Sequence, residues 1–215
     1  MTLPEGELQS GAIAEVDRSQ IVRAMAGFKP RTLAGTSMQS ASVALLIGPC
    51  EGTISFLLTQ RSNSLRRHAG QFALPGGKID SGETPTDTMI REVYEEVNLD
   101  IRRTDVLGRL DDYVTRSGFL ICPLVVWSDD LLSAQPSPAE VASISYIPIA
   151  TLVGRAVPTL TECAHDDRPL LQLPLGGDLI IYAPTGAILF QFARWCLARE
   201  YVPMTRFAEP KFAWT

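Results

Sequence analysis

The sequence predicts an α+β fold in which a mixed β-sheet is packed between helices. Strands and helices interleave along the chain without the regular βαβ alternation of a doubly wound fold. Apolar runs separated by short segments rich in Gly and Pro are typical of antiparallel strands. One clearly amphipathic helix is predicted near the middle of the chain, over residues 83–97.

The size and charge of the chain limit its architecture and its partners. With 215 residues and a mass of 23.5 kDa it fits one large domain that buries a sizeable core. The net charge of −5 argues against bulk electrostatic binding of nucleic acid or anionic lipid, so we expect neither as a partner. The four cysteines are too far apart for a C-x-x-C motif, and we expect isolated, buried thiols in a reducing compartment.

The two ends of the chain carry no targeting or spanning signal. Residues 1–10 have neither a basic region nor an apolar core typical of a secretory signal. The apolar stretch over residues 187–198 is interrupted by Gln191 and Arg194, and it falls short of the roughly 20 apolar residues that cross a bilayer. We therefore expect a cytoplasmic protein.

The first elements follow from caps and turn residues. Residues 1–16 are polar and expected to be loosely held. Asp17 and Ser19 are candidate N-caps of a short helix that ends at Gly27. The apolar runs at residues 42–47 and 54–58 flank a turn containing Gly and Pro, which predicts two antiparallel strands.

The central helix has the clearest pattern. Pro85 stands early in it, where a missing amide hydrogen costs nothing. Met89, Val93 and Val97 recur every four residues and form the predicted buried stripe. Asn98 follows, and Asn tolerates the left-handed conformation that often ends a helix.

The remaining elements are predicted in the same way. Residues 107–113 and 119–127 are predicted strands joined by a turn, and a loop follows at residues 133–138. Another strand is predicted at residues 144–149 and a hairpin-like excursion over residues 160–182. Thr185 is expected to cap a final helix.

Three carboxylates on the central helix are the candidate metal ligands. Glu92, Glu95 and Glu96 have the spacing i, i+3, i+4, and we expect them on one face, opposite the buried stripe. Oxygen-only ligands suit Mg²⁺ or Mn²⁺. Arg91 could orient a carboxylate by a forked hydrogen bond, and Gly76 lets a backbone carbonyl approach the ion. The alternative interpretation is a solvated acidic helix face.

This segment resembles the Nudix box, G-x5-E-x7-R-E-U-x-E-E-x-G-U, where U is aliphatic. Asn98 stands where the family has Gly, a position that requires a residue tolerating positive φ. The resemblance implies a loop–helix–loop in an α/β/α sandwich that binds a divalent metal and hydrolyses a nucleoside diphosphate linked to another group. The matching positions are Gly77, Glu83, Arg91, Glu92, Val93, Glu95, Glu96 and Leu99.

A second resemblance concerns the substrate. Residues 57–77 are similar to the signature of the coenzyme A diphosphatases, and residues 110–119 contain the T-x-S-G-F turn of that branch. The resemblance covers roughly residues 40–200, and it implies coenzyme A or a thioester of it as substrate. The match at residues 181–186 is weaker. A pocket for phosphates requires cationic donors. The sequence concentrates them before the Pro75-Gly76-Gly77 turn, which we call the metal loop: Arg61, Arg66, Arg67 and His68.

Several assignments follow from these resemblances. The metal ligands are expected to be Glu92, Glu95, Glu96 and the Gly76 carbonyl, with Gly77, Glu83 and Arg91 in supporting positions. The general base is left open among Glu96, Glu95 and Glu140, a residue outside the box. We expect an N-terminal extension with a short helix over residues 1–35, a Nudix domain over residues 36–200 and a C-terminal tail over residues 201–215.

Two rival functions and the oligomeric state stay open. The first rival is a Nudix pyrophosphatase for another nucleotide such as ADP-ribose. The second is a non-catalytic Nudix domain that senses a nucleotide, although such domains tend to lose box carboxylates that this chain retains. A homodimer is possible, but no part of the sequence marks an interface.

Overall fold

The computed structural model describes residues 16–33, 37–62, 70–154, 158–177 and 179–211. Within these ranges the chain forms four α-helices, which are α1 (Arg18–Ala26), α2 (Pro85–Val97), α3 (Thr151–Gly154) and α4 (Thr185–Ala198). It also forms eleven strands, which are β1 (Gln39–Cys50), β2 (Thr53–Arg61), β3 (Phe72–Ala73), β4 (Gly76–Lys78), β5 (Val106–Arg109), β6 (Tyr113–Val114), β7 (Phe119–Trp127), β8 (Val141–Pro148), β9 (Thr159–Cys163), β10 (Asp166–Gly176) and β11 (Leu179–Tyr182).

Eight strands form one mixed sheet around β1. Strand β1 runs parallel to β7, from the pair Gln39–Phe119 to the pair Ile47–Trp127. The other pairings are antiparallel: β2 and β4 pair with β1, β3 and β8 with β2, and β5 and β6 with β7. The predicted hairpin is confirmed, and its turn residues Glu51 and Gly52 both have positive φ.

The sheet opens where β1 and β2 diverge. These strands pair only near their shared turn, from Ile47–Phe56 to Cys50–Thr53. Farther along, β2 pairs with β3 and β1 pairs with β4. The short segment that carries β3 and β4 therefore fills the wedge between the two long strands, and it delivers the Gly76-Gly77 turn to the base of α2.

Helices cover both faces of the sheet. Successive side chains of a strand point to opposite faces, and β1 buries residues on both. Ala44 and Leu46 pack with the α2 stripe, and Leu45 and Ile47 belong to the core beneath α1 and α4. This arrangement confirms the predicted α+β fold with an α/β/α sandwich.

The segments at the two ends of the described chain pack onto this core. Helix α1 begins with a capping box between Asp17 and Gln20, and it buries Ile21 against the main cluster. A second, three-stranded sheet of β9, β10 and β11 packs on α4. The C-terminal segment continues past it and buries Met204 and Phe207.

Two further expectations concern the cysteines and the membrane. All four thiols are free; Cys50, Cys122 and Cys196 are buried, as expected, whereas Cys163 is half-buried. In the part of the chain that the structure describes, no helix is long and apolar enough to cross a membrane.

Three local predictions are wrong in detail. The predicted strand at residues 107–113 is two short strands, because Asp111 and Asp112 form hydrogen bonds with other segments instead of with β7. Thr185 does not cap α4: it is the first helical residue, after Pro184 at the N-cap position. Helix α2 begins at Pro85, two residues later than predicted, because Thr84 and Asp87 form a capping box.

Candidate active site

Two glycines bring the backbone of β4 against α2. Gly76 has a φ of 151°, and a Cβ there would lie 2.6 Å from the Cα of Val43 in the neighbouring strand. At Gly77 a Cβ would lie 2.5 Å from Cδ of Glu92. A side chain at position 76 would therefore push β4 away from the β1 backbone, whereas one at position 77 would displace the Glu92 carboxylate.

Helix α2 holds the box glutamates on a rigid support. Met89, Val93 and Val97 are fully buried against the sheet, as predicted. Asn98 ends the helix in the left-handed conformation, with φ 51° and ψ 36°, and its amide donates to the Tyr94 carbonyl over 2.9 Å. This position therefore accepts Asn in place of the Gly of the Nudix box.

Glu96 is buried, which corrects the expectation that all three glutamates lie opposite the apolar stripe. Its residue exposure is 4%. Oε2 accepts a hydrogen bond from the Gly76 amide at 3.2 Å, and Oε1 lies 3.9 Å from Nη1 of Arg61. Burial raises the pKa of Glu96 to about 7, against the smaller opposing effects of Gly76 and Arg61. Glu96 turns inward because it stands three residues after Val93, a spacing that places both side chains on the same face of the helix.

Glu92 is partly buried and lies one helical turn before Glu96, on the same side of α2. Burial raises its pKa, and the hydrogen bond from Arg91 partly opposes this shift. Arg91 Nη1 donates to Glu92 Oε1 at 2.8 Å. Glu95, by contrast, is exposed and accepts from the same nitrogen at 3.0 Å. The three box glutamates thus stand in three different environments.

Arg91 donates hydrogen bonds to three carboxylates of the Nudix box: Glu83, Glu92 and Glu95. Its Nε and Nη2 donate to the two oxygens of Glu83 at 2.9 and 3.1 Å, which is the forked geometry expected of an arginine–carboxylate pair. The hydrogen bond from Arg91, with a second from Thr88, lowers the pKa of Glu83 to about 2. Glu83 therefore stays ionised and fixes Arg91, which in turn orients Glu92 and Glu95.

Glu140 reaches the site through a loop that docks on the end of α2. The Ser137 amide donates to the Glu96 carbonyl at 2.8 Å, and the Gln135 amide donates to the Val97 carbonyl at 2.8 Å. The charge of Glu140 contributes to the raised pKa of both Glu92 and Glu96, although its own side chain is exposed. Sequence reasoning found Glu140 as a candidate, but these long-range backbone bonds carry no signal in the sequence.

The donor set of this cluster fits a hard divalent cation. In the described ranges, no three Asp, Glu, His or Cys side chains converge as a metal site, and the glutamates form ion pairs with Arg91 and Arg61. The ligand atoms are nonetheless all oxygens, as Mg²⁺ and Mn²⁺ prefer. The charge of Glu92 raises the pKa of Glu96, and the charge of Glu95 raises the pKa of Glu92, so a cation among these carboxylates would relieve the repulsion.

Arg61 is the described member of the predicted substrate-binding group. Its guanidinium lies beside Glu96, and its buried Nε has no hydrogen-bond partner among the described residues. Its amide donates to the Gln71 carbonyl at 2.9 Å, which ties the end of β2 to the segment before the metal loop. Arg66, Arg67 and His68 lie outside the described residues.

The T-x-S-G-F turn closes on itself between β6 and β7. The Thr115 amide donates to the Phe119 carbonyl at 2.8 Å, and Thr115 and Ser117 hydroxyls lie 3.0 Å apart. Arg116 projects from the turn and donates to the His165 carbonyl at 2.8 Å. The sequence did not indicate that the β9–β10 turn meets this one.

Comparison with known proteins places these features in one family. A family profile described as "NUDIX domain" matches residues 38–172, more than half of the chain. The chain is 33% identical over 171 residues to a Nudix hydrolase NudL of Pectobacterium atrosepticum, a match that covers 76% of this chain and 86% of that protein.

Two further relatives match over shorter lengths. "Nudix hydrolase 3" of Caenorhabditis elegans is 34% identical over 132 residues, covering 59% of this chain and 55% of that protein. The peroxisomal coenzyme A diphosphatase of Mus musculus is 35% identical over 99 residues, covering 46% of this chain and 42% of that protein. The chain thus spans about half the length of these two relatives.

Proposed function

The chain belongs to the Nudix family, and we propose that it hydrolyses the pyrophosphate bond of coenzyme A or of its thioesters. The products would be 4′-phosphopantetheine, or its acylated form, and adenosine 3′,5′-bisphosphate. We further propose that the reaction requires Mg²⁺ or Mn²⁺, and that residues 36–200 form the catalytic domain.

The observation that carries the hydrolase assignment is the pair Glu92 and Glu96, both desolvated, beside the Gly76-Gly77 turn. Surface helices with acidic faces keep their carboxylates in water, where repulsion is screened. Here burial raises the pKa of both groups, and Gly77 leaves the Glu92 carboxylate room that a side chain would fill. Such an arrangement favours a metal-binding site over a solvated helix face.

The residues of the chain have distinct roles in this proposal. Glu92, Glu95, Glu96 and the Gly76 carbonyl would hold the metal. When bound, the metal neutralises charge on the pyrophosphate oxygens and lowers the pKa of a water molecule. Glu83 and Arg91 keep the ligand carboxylates oriented.

The proton of the attacking water passes to a carboxylate. Water adds to phosphorus in line as the bridging P–O bond breaks, and the leaving phosphate carries away the bridging oxygen. Glu140 is a suitable acceptor because it lies near Glu92 and Glu96 and yet is exposed to solvent. Glu95 and Glu96 are the alternatives from within the box.

The substrate assignment has separate support. Residues 57–77 are similar to the coenzyme A diphosphatase signature, and a protein of that activity is among the relatives. Arg61, Arg66, Arg67 and His68 would supply the cationic contacts that the pyrophosphate and the 3′-phosphate require in an acidic protein. The family membership alone is compatible with other nucleotides.

The decisive experiment is a substrate panel with product identification. Purified protein with Mg²⁺ or Mn²⁺ is given coenzyme A, acetyl-coenzyme A, dephospho-coenzyme A and ADP-ribose, and EDTA serves as control. We expect the highest kcat/KM for coenzyme A or its thioester and no turnover with EDTA. Faster cleavage of ADP-ribose would overturn the substrate assignment, and no phosphorylated product from any substrate would overturn the hydrolase assignment.

A further inference from the structure

Glu209 is a buried carboxylate that the chemistry above does not use. Its exposure is 3%, and its Oε1 accepts a hydrogen bond from the backbone amide of Arg116 at 3.2 Å. Its carboxylate also contacts the Tyr113 hydroxyl. Glu209 thus bonds to the T-x-S-G-F turn and lies beside the Tyr113 hydroxyl of the strand that enters it.

The turn at residues 115–118 lies at the end of the sheet where β1 begins, and the chain runs from the metal loop through β4 toward this end. Phe119, where the turn ends, pairs with Gln39 at the start of β1. On the opposite side of β1, Lys78 pairs with Ala41, and the Ile79 amide donates to the Ser40 carbonyl at 2.9 Å. Gly76 pairs with Val43, and Val43 pairs with Pro123, four residues past Phe119. The turn is therefore about 10 Å from the metal loop across the sheet and about 13 Å along the strands, or ~16 Å in all, and an extended coenzyme A molecule is longer than this.

The segment that carries Glu209 is itself firmly held. The Ala208 amide donates to the Pro169 carbonyl at 2.9 Å, and Ala208 forms a parallel bridge with Leu170 of β10. The Tyr113 hydroxyl donates to the Phe207 carbonyl at 3.2 Å. Glu209 consequently approaches the turn from a segment that is fixed to the second sheet.

Burial of this carboxylate opposes its ionisation. Desolvation raises the pKa of Glu209 to about 7, whereas the Arg116 amide and the Arg168 guanidinium favour the charged form. An apolar side chain of the same volume would fill the space without this cost. The carboxylate instead accepts the hydrogen bond of the Arg116 amide, and an apolar side chain would not form this link between the C-terminal segment and the turn.

We propose that Glu209 is a positioning residue that holds the turn at residues 115–118 in the conformation that receives the substrate. The inference deepens the proposed function and rests on it, since it assumes that the substrate bound at the metal loop extends to this turn. Loss of the acceptor would let the turn relax, and substrate binding would weaken while the metal site stays intact.

The test compares two substitutions at one position. Glu209→Met keeps the length of the side chain and removes the acceptor, and Glu209→Gln keeps an oxygen for the Arg116 amide. For Glu209→Met we expect KM to rise about tenfold with kcat within about twofold, which corresponds to one lost hydrogen bond. We expect Glu209→Gln to restore KM to the wild-type value. Lys211→Ala, an exposed change in the same segment, is the matched control.

Amide hydrogen exchange gives a second measurement that does not depend on activity. In Glu209→Met we expect faster exchange in a peptide covering residues 113–119 and unchanged exchange in α2. Equal exchange of the turn in Glu209→Met and wild type would overturn the inference, as would a loss of kcat with KM unchanged. A wild-type protein that cleaves no pyrophosphate would instead overturn the proposed function, and the exchange measurement would still decide the role of Glu209.

Discussion

Gly77 lies directly against the carboxylate of Glu92. A Cβ on Gly77 would come within 2.5 Å of Glu92 Cδ and 2.8 Å of Oε2, closer than any real contact. The glycine in the metal loop and the glutamate on the helix therefore form one unit, in which the missing side chain leaves space for the carboxylate.

We expect Gly77→Ala to reduce kcat strongly while the protein stays folded. The new methyl group displaces the end of a flexible side chain rather than backbone, so the fold can adapt at the expense of the Glu92 position. The measurement is kcat together with the melting temperature, and Ser81→Ala, an exposed change in the same loop, is the control. Wild-type kcat in Gly77→Ala would contradict a role for Glu92 at the metal.

A second substitution tests Glu96. Glu96→Gln retains an oxygen for the Gly76 amide but removes the buried charge, so we expect kcat to fall by two orders of magnitude or more, on the scale typical for loss of a metal ligand. Stability in EDTA should be equal to or higher than that of wild type, because an unfavourable buried charge is lost. An unchanged kcat would exclude Glu96 as a metal ligand or base.

Glu140 is tested by substitution. If Glu140 accepts the proton of water, Glu140→Gln should lower kcat by about 10²- to 10⁴-fold. Its side chain is exposed, so the melting temperature should not change. Glu51→Gln, in the distant β1–β2 turn, serves as the comparison. A rate within twofold of wild type would assign the base to Glu95 or Glu96.

Substitution of Arg66 tests which phosphate group of the substrate this residue contacts. If Arg66 contacts the 3′-phosphate, Arg66→Ala should raise KM for coenzyme A more than KM for dephospho-coenzyme A, which lacks that group. The measurement is the ratio of the two KM values in variant and wild type. An equal increase for both substrates would place Arg66 at the pyrophosphate or elsewhere.

The raised pKa of Glu209 predicts a pH-dependent stability. The folded protein holds this proton up to a pH of about 7, whereas the ordinary pKa of a glutamate is 4.5. The folded state thus binds more protons between these values, and the free energy of unfolding contributed by Glu209 falls as pH rises from about 4.5 to about 7.

Urea unfolding of wild type and Glu209→Gln at pH 4.5 and pH 8 measures this contribution. Relative to Glu209→Gln, we expect wild type to lose on the order of 1–3 kcal/mol between the two pH values, in EDTA. The comparison of wild type with Glu209→Gln cancels the titration of other carboxylates. One of these is Asp166, where hydrogen bonds from Arg168 lower the pKa to about 2. A constant difference across this range would contradict the assigned pKa.

The secondary-structure elements around the site were predictable because the patterns that specify them lie within short stretches of sequence. The Met89, Val93 and Val97 stripe, the left-handed Asn98 and the hairpin of β1 and β2 all follow from periodicity and turn chemistry. The splitting of the strand at residues 107–113 does not, since it depends on hydrogen bonds that Asp111 and Asp112 accept from backbone amides about 80 positions away.

The same distinction applies to the candidate site. The resemblance to the Nudix box predicted supporting positions for Glu83 and Arg91, but the hydrogen bond between them joins a residue before α2 to one inside it and was not assigned to this pair. The burial of Glu96 was not, because it depends on where β4 places the Gly76 amide. The link from Glu209 to Arg116 joins residues 93 apart, and no spacing rule connects them.

The position of β1 has a consequence for protein engineering. Its first residues are bonded to the metal loop on one side and to the start of β7 on the other. An insertion or deletion in that stretch would shift the metal loop and the start of β7 at once, so engineering of a new substrate preference should leave residues 39–43 unchanged.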